Sequence, residues 1–88
     1  MYSKKSGGFM MERLVLEEVT QEKVTYRYYP EQSKTYGVVV LMRKTGQRIL
    51  VKLHPDYSSA YVGQAWRRLD EYQKRGIFLK KIWLHGDE

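Results

Sequence analysis

One stretch restricts the fold of this chain more than any other: AYVGQAWRRLDEYQKRG, residues 60–76. At 100° per residue, Tyr61, Val62, Ala65, Trp66, Leu69 and Tyr72 fall within about 140° of arc, the stripe of a helix with one buried side. Gly76 is a natural stop, because glycine takes the left-handed conformation that closes a helix at little cost. Asp56, Ser58 and Ser59 are candidate caps for the start, since their oxygens can accept from the first free N–H groups. No second stripe of this kind occurs in the 88 residues. A single apolar rod needs a flat partner to bury its stripe.

That partner is legible upstream. From Glu12 to Leu53 the chain alternates in the manner of strands. RLVLEEV is a first candidate, although its glutamates would also suit a helix. In KVTYRYY, Val24, Tyr26 and Tyr28 share one side, and Thr25, Arg27 and Tyr29 the other. Pro30 ends pairing because it lacks a backbone donor, and PEQSKT reads as loop. YGVVVLMR and QRILVKL are strands joined across KTG, where Gly46 can take the positive φ of a tight turn. IFLKKIWL resumes a strand pattern after the helix, ahead of a polar end, HGDE. The expected fold is α+β: an antiparallel β-meander of three to four strands, one long helix on one face and a short C-terminal strand. Residues 1–10, with SKKSGG, are expected to form a flexible tail, and residues 11–88 a single α+β domain.

One helix covers one face of a small sheet, so the other face becomes the place to seek function. With Val24, Tyr26, Tyr28, Ile49, Val51 and Leu53 against the helix, the opposite face carries Arg27, Tyr29, Leu50 and Lys52. If Val38, Val40 and Met42 point inward, strand three adds Val39, Leu41 and Arg43 to it. The expected contact surface is therefore Tyr29, Val39, Leu41, Arg43, Leu50 and Lys52, an apolar centre with a basic rim. A covering strand or a second copy of the chain would satisfy the same pattern.

Charge supports an acidic partner without requiring one. The net charge is +6, and residues 32–86 hold eleven basic and three acidic side chains against five of each in residues 1–31. A small domain can carry such a charge for solubility alone. The polar arc of the helix interleaves Asp70 and Glu71 with Arg67, Arg68, Lys74 and Arg75, which suits a solvated, pair-laced surface. A sheet face with aromatics and cations would suit single-stranded nucleic acid, but Tyr29 is the one aromatic this reading places there.

Other chemistry leaves little trace. With no cysteine there is neither a disulfide framework nor a thiolate zinc site. The longest apolar run, VVVLM, is far below the ~20 residues of a membrane span, and residues 1–10 lack a signal peptide's apolar core. A cytoplasmic protein is expected. His85 with Asp87 and Glu88 makes a poor metal site on a chain end, so no metal, cofactor or catalytic residue is expected. The tripeptide His54-Pro55-Asp56 matches that of J-domain co-chaperones, but a strand precedes it here instead of a basic helix, and a turn with a helix cap explains it.

Four runs, MERL at 11–14, YYPE at 28–31, KTG at 44–46 and RRLDEY at 67–72, resemble a family of short, uncharacterised Firmicutes proteins. The resemblance implies a unit beginning at Met11 and no particular activity. The leading expectation is a non-catalytic protein-binding or accessory module, homodimeric through the open sheet face in its simplest form. Nucleic-acid binding by the basic strands is the alternative, and an enzyme the third reading.

Overall fold

The computed structural model describes residues 10–85, the side chain of His85 excepted. The expected tail, apart from Met10, and the end beyond His85 lie outside the described residues. Alternation between Met11 and Lys52 produces four strands: β1 Met11–Val19, β2 Lys23–Pro30, β3 Gly37–Met42 and β4 Arg48–Lys52. Helix α1, Ala60–Arg75, and strand β5, Lys81–His85, complete the α+β fold. All pairings are antiparallel in one open five-stranded sheet of order β4-β3-β2-β1-β5. The last strand thus returns beside the first, and the helix packs on one face.

The helix begins after Ser59, whose side chain makes no capping bond; Ser58 Oγ accepts the Ala60 N–H at 3.3 Å instead. It ends as expected at Gly76, whose φ of 74° lets its N–H reach the Tyr72 carbonyl at 2.7 Å. Tyr61, Val62, Ala65, Trp66, Leu69 and Tyr72 are all buried. They meet Leu14, Val24, Tyr26, Tyr28, Val39, Leu41, Ile82 and Leu84 in one core. Full burial of each large apolar side chain contributes about 1.5–3 kcal/mol, so this layer supplies most of the driving force. Of the charges on the helix surface, Arg68 faces Glu71 at 3.9 Å, and Asp70 binds Arg48 of β4.

Two strands face the other way from expectation. Cross-strand partners share a face, and Tyr26 is opposite Val39 while Val24 is opposite Leu41. Val39 and Leu41 therefore lie under the helix, fully buried, and are not part of an open surface. Val38, Val40 and Met42 take the open side. The inversion passes to β4, where Val39 pairs with Leu50 and Leu41 with Arg48, leaving Ile49 beside Val40 on the open face. A continuous apolar run such as VVVLM has no parity of its own, so the turn before it decides. The deciding residue is Gly37, opposite Tyr28: a Cβ at that position would fall inside the Tyr28 ring.

β4 is an edge strand that the helix does not cover. Ile49, Val51 and Leu53 are 37%, 59% and 48% exposed, against the expectation that they meet the helix. The register steps by one extra residue at Val51, a bulge of the kind that turns an edge away from further pairing. Arg48 and Lys52 flank it. A second bulge, at Glu17, sits between Leu16 and Glu18 in β1.

Candidate functional site

The face opposite the helix is assembled from every strand, and its register sorts it into two rows. Trp83 of β5 is opposite Arg13 of β1, which is opposite Tyr29 of β2. Tyr36, one residue before β3, continues the line, its ring centroid 5.3 Å from that of Tyr29. The adjacent row reads Lys81, Val15, Arg27, Val38 and Lys52 across the five strands. Neighbouring strands lie about 4.8 Å apart and like-facing residues of one strand about 7 Å apart. An aromatic row thus runs beside a cationic one.

Side chains of the two rows hold one another. The Arg13 guanidinium carbon lies 4.2 Å from the Tyr29 centroid and 5.7 Å from that of Trp83. Arg27 approaches the Tyr36 ring to 4.5 Å, and the Lys52 ammonium lies 4.8 Å from the same ring. Such contacts use the negative face of an aromatic ring and are worth about 0.5–1 kcal/mol where exposed. Trp83 nonetheless remains 52% exposed. No acid stands in either row. Glu17, two residues beyond Val15 in β1, accepts from Arg27 Nε at 3.0 Å and so partly neutralises that cation.

The six residues of the expected contact surface separate on this geometry. Tyr29 and Lys52 lie in the two rows. Val39 and Leu41 are in the core. Leu50 shares their side but is exposed at the edge. Arg43 lies beyond β3, where it donates to the Thr20 carbonyl at 2.7 Å and covers Phe78. The sequence reading missed Arg13, Tyr36 and Trp83. Trp83 was recoverable from its position between Ile82 and Leu84, and Arg13 from its alternation with Leu14; for Tyr36 the cue is Gly37, which fixes the strand that follows.

A second polar cluster sits under the helix. Gln64 donates Nε2–H to Glu12 Oε1 at 2.8 Å, and both residues are buried. Burial pushes the Glu12 carboxyl up to about 8; the Gln64 bond opposes that rise and nearby Glu31 adds to it. Glu12 Oε2 and Gln64 Oε1 have no partner among the described residues, and a protonated Glu12 places a donor beside that surplus of acceptors. Tyr61 donates to Glu31 Oε2 at 2.5 Å, and burial, followed by that bond, raises its phenol pKa. Glu31 holds a φ of 51°, uncommon for a residue with a side chain.

His54 is equally enclosed. Its Nδ1 accepts the Asp56 N–H at 3.1 Å, which leaves Nε2 to carry the proton toward Thr35 Oγ1 at 2.7 Å and Ser33 Oγ at 3.0 Å. Its own N–H donates to the Tyr28 hydroxyl at 2.8 Å. These bonds tie β2 and the β2–β3 loop to the connection between β4 and α1, which accounts for the His54-Pro55-Asp56 run as a structural joint.

Among the described residues no group of three or more His, Asp or Glu side chains could hold a metal ion. No helix there is long and apolar enough to cross a membrane. No family model, curated protein or solved structure matches the chain.

Proposed function

We propose that this protein binds single-stranded nucleic acid across the open face of its sheet. The observation that carries the reading is the pair of rows: Trp83, Arg13, Tyr29 and Tyr36 beside Lys81, Arg27 and Lys52, with no acid among them. Unpaired bases present flat faces that stack on aromatic rings, whereas a duplex hides them. The backbone that links those bases carries one negative charge per nucleotide, and the second row offers cations on alternate strands, about 10 Å apart. Protein–protein contact through this face, the leading expectation from sequence, placed Leu41 and Leu50 at its centre with Val39 beside them. Val39 and Leu41 are buried under the helix and Leu50 lies on that same side at the edge, so aromatics and cations mark the opposite face instead.

The test is fluorescence anisotropy with labelled oligothymidylate, oligouridylate and a duplex of matched length. Both single strands bind at low salt and the duplex binds more weakly. Contact with three or four phosphates gives a log–log salt slope of about −2 to −3, since each contributes about −0.7 on a single strand. Lys52→Ala makes that slope shallower by about 0.7. Absence of binding by either single strand at low salt overturns the proposal.

A further inference from the structure

We infer that the space between Trp83 and Tyr29 is a slot for one unpaired base, held in the free protein by the Arg13 guanidinium. The inference rests on the nucleic-acid reading and goes beyond it by naming a subsite and its occupant. Arg13 stands between the two rings in the register, with its flat head over both. A guanidinium and a nucleobase are alike in being planar groups that stack on aromatic faces. A flat group in van der Waals contact on both sides needs about 3.5–4 Å to each neighbour. The guanidinium meets that spacing roughly at Tyr29, 4.2 Å, and falls short of it at Trp83, 5.7 Å. The Trp83 side is the looser of the two contacts, and Trp83 itself is half exposed to solvent.

Arg13 is also incompletely satisfied where it stands. Its Nε is buried and has no hydrogen-bond partner among the described residues. A buried donor without an acceptor costs about 1–3 kcal/mol, so the arrangement favours any ligand that brings one. A nucleotide brings both parts: a base to replace the guanidinium between the rings, and a phosphate or carbonyl oxygen to accept from Arg13 once it turns outward. Charge-assisted bonds from arginine to phosphate are among the stronger pairs available. The displaced side chain thereby becomes a contact in the complex.

Trp66 is buried and Trp83 exposed, so the two indole N–H signals in a ¹⁵N-edited NMR spectrum report on core and slot separately, with Trp83→Phe supplying the assignment. The protein is titrated with oligothymidylate and with an abasic oligonucleotide of equal length, which offers the same phosphates without bases. Oligothymidylate shifts the Trp83 indole and the Arg13 Nε–H, whereas the abasic strand leaves the Trp83 indole in place. Trp83→Ala, a change at an exposed position, weakens oligothymidylate binding about tenfold and leaves abasic binding unchanged. If oligothymidylate binds while the Trp83 indole stays fixed, or if both strands shift it alike, the slot is refuted and the platform stands. If neither strand binds, the platform falls and the slot with it.

Discussion

The two faces of this sheet solve the same problem by different means. Beneath the helix, Leu14, Tyr26, Tyr28, Val39, Leu41 and Leu69 lose all contact with water, and the layer is held by apolar burial. On the other side no element among the described residues covers the strands. There long side chains lie across one another, Arg13 on Tyr29 and Arg27 and Lys52 against Tyr36, and Thr25 and Val40 are buried in the next row. One face therefore carries stability, while the other keeps its aromatic and cationic groups available. A face that shields itself with movable side chains can exchange those contacts for a ligand's, and a face sealed by a helix cannot.

Substitutions sharpen this contrast in a definite order. Leu69→Ala, in the sealed layer, costs about 2–5 kcal/mol by urea denaturation, whereas Ile49→Ala on the open side costs under ~1 kcal/mol. Equal losses at the two positions would erase the distinction. Next comes Glu12, the fully buried acid of the sealed layer. Its folded pKa of about 8 lies above the ordinary 4.5, so the folded state holds its proton after the unfolded chain has released it. Stability from this group is complete below about pH 4.5 and is lost as pH rises through 8, a swing of a few kcal/mol at most. Glu12→Gln removes the swing: thermal melts show it stabilised most at pH 8–9 and little changed at pH 4. A variant that follows the parent's pH profile would show that Glu12 titrates normally.

Gly37→Ala forces a methyl into the Tyr28 ring and costs about 1–3 kcal/mol, read as a lower denaturation midpoint. Tyr36→Ala, on the open face, costs under ~1 kcal/mol of stability while weakening single-strand binding about tenfold; the reverse pattern would make the aromatic row a purely structural layer. Smallest is Arg48→Ala. Its bond to Asp70 is exposed on both sides, and such pairs contribute about 0–1 kcal/mol, so salt titration of the melting temperature should barely separate variant from parent.

Much of the architecture was legible because it rests on periodicity. The helix stripe, the stop at Gly76, the turn at Gly46 and the faces of β2 all follow from alternation and backbone preference. The faces of β3 and β4 did not, since Val38, Val39, Val40 and Leu41 are apolar on both sides and only pairing decides between them. That one-residue ambiguity moved the expected contact surface. With Val39 and Leu41 placed outward, the face resembled an apolar patch; with them inward, its character passes to Arg13, Tyr36 and Trp83. The return of β5 beside β1, which brings Trp83 to Arg13, is a long-range pairing that no local pattern encodes.

The extra residue at Val51 has a consequence for the molecule in a crowded solution. A straight outer strand bearing isoleucine, leucine and valine would present a ladder on which another chain could crystallise rung by rung. The kink there interrupts the spacing of free amides and carbonyls, so a further strand pairs poorly along the β4 edge.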